Sequence, residues 1–346
     1  MKNIFFALII FFAFSIKAKE LPTIAIVTTG GTIAEKTDPK TNASVPALSG
    51  EALIKSIPLI SKIANVKVVN FSNIDSSQMS PSIWAKLSSL VDDILKDEKI
   101  KGAIITHGTD TMAEGAYFLD LTLKTNKPVV FVGAMRNATD PYSDGPPNLL
   151  NAIFQVLSDN SYDFGVTVTM NQYINSARDV YKTQTTNVQT FQSGEKGYLG
   201  YINDGIVYRF NNILYKQKFS IPKKLPNVVL YTDFAGTNGD MLKAAVDAKV
   251  DGIVIESFGS GNVNKSIFEI IKYAISKNIA VVITTRVFYG SVFPLYGDKG
   301  GGKMLKDIGA IVCGNLRGPK ARLLLMLTLP LVGNDHKKLE KYFNIP

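Results

Sequence analysis

Short apolar runs alternate with longer amphipathic stretches along most of the chain. Most of the short runs are continuous and rich in valine and isoleucine, which is typical of strands buried on both faces of a parallel sheet. They fall into two series, one in each part of the chain. The predicted strands are Thr23–Thr28, Val66–Phe71, Gly102–Thr106, Pro128–Gly133 and Gly165–Met170, then Val228–Thr232, Gly252–Ser257, Ala280–Thr284 and Ala310–Cys313.

Stretches with a helical spacing of apolar residues separate these strands. One begins after Pro81 and keeps a period of 3.6 residues to Lys96, and another covers Ile267–Ile275. The alternation of strands and helices predicts an α/β fold. We expect a larger N-terminal domain, with helices on both faces of a parallel sheet, and a smaller C-terminal α/β domain.

The periodic pattern lapses between residues 209 and 226, where asparagine, lysine and proline are frequent. Such a stretch is typical of a linker between domains. The sequence therefore predicts a larger domain over residues 19–208, a linker over residues 209–226 and a smaller domain over residues 227–346.

The first 18 residues have the pattern of a secretory signal peptide. A positive charge at Lys2 precedes the apolar stretch Ile4–Ile16, and Ala18 offers a small residue for cleavage. An N-terminal anchor helix is the alternative, but the stretch is short for crossing a bilayer. We expect residues 1–18 to be removed. An exported protein whose single cysteine, Cys313, cannot form an internal disulfide fits a bacterial periplasm.

Charge and side-chain chemistry exclude several classes of function. The formal net charge of +9 would suit a nucleic-acid binder, but the lysines are scattered rather than clustered. Export also argues against ATP chemistry and DNA binding, so we expect no nucleic-acid partner. No run of 18 apolar residues exists, so we expect no membrane association after signal removal. With one cysteine and two histidines, His107 and His336, the chain lacks the ligands of a Cys/His zinc site.

The first candidate motif, Thr28–Ala34, follows the first buried strand directly and contains Gly30 and Gly31 between threonines. In open α/β sheets the functional crevice lies beyond the carboxyl ends of the strands. Paired glycines let the backbone turn sharply and expose amide groups to an anion or an oxyanion. Thr32 would project its hydroxyl into this turn. An ordinary tight turn with a helix-capping threonine explains the pattern equally well.

The second motif, Thr106–Thr111, follows the third predicted strand and again places a hydroxyl at a strand end, now beside the carboxylate of Asp110. A helix N-cap is the alternative, because Asp110 and Thr111 precede a helical stretch. Two threonine-rich strand ends in one sheet favour a shared site. His107 is interpreted as structural, since the chain has no G-x-S-x-G nucleophile elbow.

The third motif, Arg178–Thr183, contains a candidate base. A threonine hydroxyl is a poor nucleophile until a neighbouring group takes its proton. Without a suitable histidine, a lysine of lowered pKa is the natural base. Lys182 can serve only if the fold brings it to Thr109 or Thr32. By spacing alone, a solvated surface lysine is the better interpretation.

Together these motifs resemble the bacterial L-asparaginase family, and in particular its secreted periplasmic type. The members are amidohydrolases that convert asparagine to aspartate and ammonia. Order and spacing hold from about residue 21 to the C-terminus, so the resemblance covers essentially the whole mature chain. The matching segments are Thr29–Ala34, Asp75–Ser77, His107–Thr111, Gly133–Arg136, Asp144–Leu149, Arg178–Thr183 and Gly259–Asn262.

The resemblance implies catalytic roles for four residues. Thr32 matches the threonine regarded as the family's nucleophile. Thr109, Asp110 and Lys182 match a second catalytic group, in which lysine and aspartate support a threonine that activates water or assists proton transfer. The larger domain is therefore expected to be the catalytic one, and no metal or organic cofactor is expected.

The resemblance also implies substrate contacts and an assembly. Ser76 and Asp110 match residues that bind the α-carboxylate and α-ammonium groups of the substrate. Ser77 stands where many members have glutamine or glutamate, and it changes the surroundings of the ammonium group. Asn262 matches a residue supplied by a neighbouring subunit. The resemblance thus implies a homo-oligomer, usually a tetramer, with sites shared between subunits.

The chain departs from the better-known periplasmic members in the group that activates the nucleophile. Their mobile loop after the first motif carries an activating tyrosine, and the matching stretch Asn42–Pro46 has none. Where they carry a glutamate that pairs with that tyrosine across the interface, this chain reads Arg286–Gly297. We interpret it as a branch lacking the usual loop tyrosine. Tyr296 is a possible activator, ahead of Tyr289, and an aromatic that only packs there is the alternative.

The implied reaction is hydrolysis of L-asparagine. Thr32 attacks the side-chain carbonyl, backbone N–H groups near the second motif hold the oxyanion, and water then hydrolyses the acyl-enzyme. Direct attack by a water molecule placed by Thr109 is an alternative. A mixed glutaminase-asparaginase is another, because one extra methylene in the substrate changes binding by only about 1–3 kcal/mol. A non-catalytic periplasmic amino-acid-binding protein fits two lobes and a linker, but it needs no threonine-rich strand ends.

Overall fold

The computed structural model describes residues 20–46, 49–213 and 215–343. The predicted signal peptide, residues 1–18, lies outside these ranges. The strands are β1 (Thr23–Thr28), β2 (Glu35–Thr37), β3 (Ser44–Pro46), β4 (Asn65–Asn70), β5 (Ile100–Thr106), β6 (Val129–Val132), β7 (Val166–Met170), β8 (Tyr173–Ser176), β9 (Tyr181–Lys182), β10 (Phe191–Gln192), β11 (Gly200–Asn203), β12 (Ile206–Arg209), β13 (Val228–Thr232), β14 (Gly252–Ser257), β15 (Ala280–Thr285) and β16 (Ile311–Val312).

Helices cover the strands. One that the sequence predicts begins at Pro81, where the hydroxyl of Ser80 accepts a hydrogen bond from Ile83 N at 3.4 Å. Within the three described ranges, none of the helices combines the length and the apolar character needed to cross a membrane. The helices are α1 (Gly50–Lys55), α2 (Ile60–Ile63), α3 (Pro81–Leu95), α4 (Met112–Thr122), α5 (Gly145–Leu157), α6 (Asp240–Asp247), α7 (Lys265–Ser276), α8 (Gly302–Asp307), α9 (Gly318–Val332) and α10 (His336–Phe343).

The larger sheet has the strand order β12-β11-β8-β7-β6-β5-β1-β4. Strands β4, β1, β5, β6 and β7 are parallel, as the apolar runs predict, whereas β8, β11 and β12 are antiparallel additions. A tight hairpin makes the first addition, because Asn171 and Gln172 both adopt positive φ, 47° and 69°. The sheet is therefore mixed. The expected α/β class is confirmed, and each domain contains one main sheet.

The smaller sheet has the order β13-β14-β15-β16 and is parallel throughout. Helix α9 covers it and also packs against α4 of the larger domain. Because α9 lies between two layers, Leu323, Leu324, Leu325 and Leu327 are all buried, although they point in different directions around the helix. One hydrophobic core therefore continues from the larger domain into the smaller one.

The segment between β12 and β13 carries neither helix nor strand in its described part, residues 210–213 and 215–227. It nevertheless follows the surface of both domains. Phe219 is buried and its N–H donates to the carbonyl of Leu121 at 2.7 Å, while the amide of Gln217 donates to the carbonyl of Tyr342 at 3.1 Å. The division of the chain at residues 209–226 stays an interpretation of the sequence.

Candidate functional site

The candidate site lies at the carboxyl ends of β4, β1 and β5, which are neighbours in the larger sheet. The chain places β4 on one side of β1 and β5 on the other, so the loops after these strands meet at a topological switch point. The first loop (residues 29–34) carries Thr32. The serine loop (residues 71–79) carries Ser76, and the second loop (residues 107–111) carries Thr109 and Asp110.

Glycines let the three loops touch. Gly30 and Gly31 both have positive φ, 106° and 85°, a region that favours glycine. A Cβ atom on Gly31 would lie 2.3 Å from the Cα of Gly108, and one on Gly30 would lie 2.5 Å from the carbonyl oxygen of Ile74. A Cβ on Gly108 would in turn meet the hydroxyl of Ser76 at 2.6 Å. The paired glycines thus permit backbone contact between loops rather than a turn alone.

Thr32 begins a short 3-10 turn, Thr32–Ala34, whose other residues Ile33 and Ala34 are buried. Its own side chain is partly exposed. Residues three apart lie on the same face of a 3-10 helix. The hydroxyl of Thr32 accordingly lies close enough to the carboxyl of Glu35, which follows the turn directly, to lower its pKa. The sequence motifs did not single out Glu35. The feature that could have identified it is an acidic residue three positions after the candidate nucleophile.

Glu35 is a buried carboxyl at the edge of the site, with 8% of its surface exposed. Burial raises its pKa above the usual value of 4.5, and the charges of Asp75 and Asp110 raise it further. The hydrogen bond from Thr32 acts in the opposite direction, because it stabilises the carboxylate. Glu35 is therefore a more basic carboxylate than an exposed one, in contact with the hydroxyl that sequence analysis singles out.

Lys182 reaches the second loop. It lies on β9, which pairs with β10 in a small antiparallel ribbon, with Lys182 opposite Phe191. Its ammonium group donates to the hydroxyl of Thr109 at 2.9 Å and to the carboxylate of Asp110 at 2.7 Å. The structure therefore places Lys182, Thr109 and Asp110 together, although 72 residues separate the lysine from the aspartate. Lys182 is therefore not the solvated surface lysine that its spacing in the sequence favours, because its side chain is 21% exposed.

A second lysine, missed by sequence reasoning, holds the segment before β9. Lys320 of α9 is 5% exposed and donates to the carbonyl oxygens of Ala177 at 2.7 Å and Arg178 at 2.9 Å, and also to that of Val180. Burial lowers the pKa of Lys320 to about 7, but three acceptor carbonyls favour the ammonium form, which alone offers three donors. The smaller domain thus fixes the chain two residues before Lys182.

The serine loop is joined to the second loop by hydrogen bonds. Ser76 is buried, its hydroxyl accepts from Asp110 N at 3.2 Å and its carbonyl accepts from the hydroxyl of Thr111 at 2.8 Å. Ser77 is exposed, and its N–H donates to the carboxylate of Asp75 at 2.7 Å. Hydrogen bonds from the side chain and the N–H of Ser77 lower the pKa of Asp75. Both predicted binding serines therefore face the same edge of the sheet as Asp110.

His107 is part of the core. It is fully buried, its Nδ1 lies 2.7 Å from the carbonyl of Gly108, and its Nε2 accepts from the indole of Trp84 at 3.4 Å. Burial lowers the pKa of His107 to about 4, which keeps the ring neutral at physiological pH. Both ring nitrogens of His107 have partners in the protein interior, as expected of a structural histidine.

Two further matched motifs build the scaffold under the site. The carboxylate of Asp144 accepts from Met135 N at 3.0 Å and from Arg136 N at 2.9 Å. The amide of Asn148 donates to the carbonyl of Gly133 at 3.1 Å. These contacts tie the loop after β6 to the start of α5, so their role in the structure is positional.

Asn262 and Tyr296 lie in the smaller domain. The Oδ1 of Asn262 accepts from Gly302 N at 3.2 Å, and the Tyr296 side chain is 53% exposed. Among the described residues, no hydrogen bond joins either one to the first, serine or second loop. Within a single chain, the structure therefore does not bring them to Thr32.

A cavity of about 240 Å³ lies behind Lys182, between the two domains. Asp110, Lys182, Arg178 and Tyr289 are among the residues that line it. Thr32 is not among its lining residues, so this cavity is not the space in front of the candidate nucleophile. Over the described part of the chain, His, Cys, Asp and Glu side chains form no group of three suited to hold a metal ion.

The site combines two threonines with a lysine and a carboxylate at the switch point of the larger sheet. These groups can supply a nucleophile and the proton transfers for attack on a carbonyl. Residues 23–214 match the family model described as "Asparaginase, N-terminal", and residues 227–343 match "Glutaminase/Asparaginase C-terminal domain". The chain belongs to the asparaginase family, and the resemblance seen in the motifs is confirmed.

Known proteins resemble the chain over nearly its whole length. "L-asparaginase 2" of Escherichia coli (strain K12) is 39% identical over 341 residues, 96% of this chain and 95% of that protein. "Probable L-asparaginase periplasmic" of Haemophilus influenzae is 38% identical over 334 residues, 94% of this chain and 93% of that protein. A crystal structure of the "Probable Cytoplasmic L-asparaginase from Campylobacter jejuni" superposes with a TM-score of 0.84 at 38% identity, covering 93% of this chain and 98% of the other.

Proposed function

We propose that the chain hydrolyses L-asparagine to L-aspartate and ammonia, with Thr32 as the nucleophile. The observation that carries the proposal is the contact of Lys182 with both Thr109 and Asp110, in the loop that touches the glycines before Thr32. Family membership and relatives called L-asparaginases support the substrate.

In this proposal the Thr32 hydroxyl oxygen attacks the side-chain carbonyl carbon of asparagine. Backbone N–H groups of the second loop stabilise the oxyanion, ammonia leaves, and water hydrolyses the resulting ester. Lys182 and Asp110 keep Thr109 in place to move a proton during these steps. Asp110 and Ser76 bind the α-ammonium and α-carboxylate groups, with Ser77 beside them.

Ammonia release from asparagine and from glutamine, measured with the purified protein, tests this proposal. We expect turnover of asparagine, and Thr32→Ala should lower kcat by about 10⁴-fold or more, the scale seen when a nucleophile is removed. Thr232→Ala, which alters an exposed threonine of the smaller domain, is the matched control and should keep wild-type rates. A Thr32→Ala enzyme with more than about a tenth of the wild-type kcat excludes a nucleophile at this position.

The same assay separates the two alternatives. Comparable kcat/KM values for the two amides identify a mixed glutaminase-asparaginase, which the description of the matched C-terminal domain makes the second candidate. Tight binding of asparagine without ammonia release identifies an amino-acid-binding protein.

We further propose that the enzyme is a periplasmic homo-oligomer, with a tetramer as the expected size. The signal-like N-terminus and the relative called periplasmic support the location, while the Campylobacter relative is described as cytoplasmic. N-terminal sequencing of the protein from its native host tests export. A mature chain that begins near Lys19 supports it, and an intact Met1 in the soluble fraction contradicts it.

A further inference from the structure

Glu35 occupies a position that neither the motifs nor the family resemblance assigns. The 3-10 turn of residues 32–34 places it on the same face as Thr32, and the Thr32 hydroxyl lies close enough to lower the pKa of its carboxyl. Carboxyl groups are rarely as buried as this one without a strong reason, because burial penalises their charged form. A buried carboxylate on the same face of the turn as a candidate nucleophile is placed to act as its base.

The backbone holds Glu35 firmly relative to Thr32. Its N–H donates to the carbonyl of Thr32, and its carbonyl accepts from Ala138 N at 3.0 Å. It begins β2, which pairs with β3, and the next contact along β2 joins Thr37 N to the hydroxyl of Thr139 at 3.0 Å. The segment after the first loop is thus a hairpin fastened to the loop after β6. This rigidity is what a positioned base requires.

The charges around Glu35 are mainly negative. Asp75 and Asp110 act on its carboxyl, and the ammonium of Lys182 is engaged by Asp110 and Thr109. Arg136, on the loop fastened to β2, directs its guanidinium to the carbonyl of Tyr142 at 3.2 Å. Protonation of Glu35 is therefore favoured relative to an ordinary glutamate, which suits a group that must accept a proton.

We propose that Glu35 is the general base that activates Thr32, an inference that rests on the proposed role of Thr32 as nucleophile. As the Thr32 oxygen forms its bond to the substrate carbonyl carbon, its O–H bond breaks and the proton passes to the Glu35 carboxylate. When the C–N bond then breaks, the same proton goes to the departing nitrogen, which leaves as ammonia. The carboxylate is regenerated and can take a proton from the water that hydrolyses the ester.

This assignment removes the need for a phenol at Thr32. A tyrosine has an ordinary pKa of about 10, so it is protonated at neutral pH and needs a cation to act as a base. A carboxylate is already deprotonated, and burial moves its pKa towards the operating pH. Glu35 also belongs to the same chain as Thr32, whereas Tyr296 would have to come from a neighbouring subunit.

Glu35→Gln tests the proposal, because it keeps the size and the hydrogen-bond acceptor but removes the base. We expect kcat to fall by about 10²-fold or more, the usual scale of general-base assistance, with little change in KM. Glu35→Asp should keep part of the rate. The matched control is Glu51→Gln, which neutralises an exposed carboxyl on α1 and should leave kcat unchanged.

The pH profile and the stability distinguish a base from a structural residue. The kcat/KM of the wild type should fall as the pH drops through the raised pKa of Glu35, and Glu35→Gln should lose this acidic limb. A carboxyl with a raised pKa costs stability above the unfolded-state pKa. Glu35→Gln should therefore unfold at the same or a higher temperature at neutral pH, and the difference should vanish at pH values below about 4.

Several results overturn the inference. Wild-type kcat in Glu35→Gln refutes the base, and a raised KM with unchanged kcat shows that the carboxylate binds the substrate ammonium instead. A lower unfolding temperature with lost activity, or Glu35→Asp no faster than Glu35→Gln, identifies a structural role. Thr32→Ala distinguishes failure of this inference from failure of the proposed function. If Thr32→Ala is inactive while Glu35→Gln is fully active, only the role of Glu35 as base is refuted. If Thr32→Ala is active, the role of Thr32 as nucleophile is refuted.

Discussion

Two threonine hydroxyls lie in contrasting surroundings at one edge of the larger sheet. Thr32 is partly exposed and lies beside the carboxyl of Glu35, whereas Thr109 is 7% exposed and accepts from the ammonium of Lys182. A carboxylate favours loss of the hydroxyl proton to itself, while an ammonium favours negative charge on the oxygen. The first arrangement suits nucleophilic attack, and the second suits proton transfer with the leaving group or with water.

Lys182→Met should therefore impair catalysis more than stability. The carboxylate of Asp110 is exposed, so loss of its ion pair with Lys182 should lower the free energy of unfolding by about 1 kcal/mol or less. We expect kcat to fall by about 10²-fold or more because Thr109 loses the group that orients its proton. Steady-state kinetics and thermal unfolding of the same preparation measure both effects.

Lys216→Met is the control for this substitution. Lys216 also forms a close ion pair, with Asp163 at 2.6 Å, but on the surface away from the three loops. It should change neither kcat nor the unfolding temperature appreciably. A Lys182→Met enzyme that matches this control would remove Lys182 from the proposed machinery.

At the scale of elements, the placement of β9 depends on a contact between domains. The carbonyls of Ala177, Arg178 and Val180 all accept from Lys320, while Arg178 pairs with Asp179 and reaches the side chain of Asn315 at 2.7 Å. A two-residue strand has few hydrogen bonds of its own. The position of Lys182 is therefore set as much by α9 of the smaller domain as by the sheet.

Lys320→Met should loosen this support. Buried carbonyl oxygens left without a donor cost about 1–3 kcal/mol, partly offset because the desolvated ammonium is also removed. We expect a lower unfolding temperature and a fall in kcat that exceeds the change in KM, since Lys182 loses its fixed position. Thermal unfolding and kinetics of Lys320→Met measure both.

Lys303→Met gives the comparison, because Lys303 lies exposed on α8 and pairs with Asp307 on the same helix. Lys303→Met should leave both kcat and the unfolding temperature unchanged. Wild-type kcat in a destabilised Lys320→Met would show that α9 supports the fold without positioning the site.

The local pattern predicts the parallel strands of both main sheets but misses the antiparallel strands. Strands β1, β13 and β14 have the bounds that the apolar runs predict, because parallel buried strands need continuous hydrophobic residues. The hairpin to β8 escapes prediction since its turn, Asn171-Gln172, lacks the glycine that usually marks such turns. The ribbon of β9 and β10 is too short to produce a periodic signal.

The candidate site was also only partly predictable from the sequence. Threonines and glycines at strand ends are visible in the sequence because they follow strands directly. The approach of Lys182 to Thr109 depends on tertiary packing over 73 residues, so only the family resemblance anticipates it. The approach of Thr32 to Glu35 is local, but it requires a helical turn, because an extended strand would point two residues three apart to opposite faces.

At the scale of the whole molecule, the smaller domain carries apolar side chains that one chain leaves uncovered. Phe293, Leu295 and Tyr296 are 57%, 71% and 53% exposed, and the preceding Phe288 and Tyr289 are also exposed. Several exposed large apolar residues within one short segment are typical of a protein interface. Asn262 lies in the same domain and, among the described residues, makes no hydrogen bond to the three loops. The proposed oligomer therefore gives this cluster and Asn262 a common explanation.

Mixing two inactive variants tests whether the site is shared. Thr32→Ala removes the nucleophile, and Asn262→Ala removes the residue expected from the neighbouring subunit, so each alone should be nearly inactive. In a mixed dimer, the Asn262→Ala chain still offers Thr32 and its partner still offers Asn262, which completes one of the two sites. Random pairing of equal amounts should therefore restore about a quarter of wild-type activity.

The control pair is Thr32→Ala with Thr109→Val, since both residues belong to the same side of the site and no mixed dimer can bring two intact copies together. Co-expression with two different affinity tags isolates the mixed species, and sedimentation at the assay concentration gives their size. Restored activity only in the pair with Asn262→Ala establishes a site built from two chains. If neither pair regains activity, or if a monomer is fully active, then Asn262 does not act across an interface, and the exposed cluster around Leu295 must serve another contact.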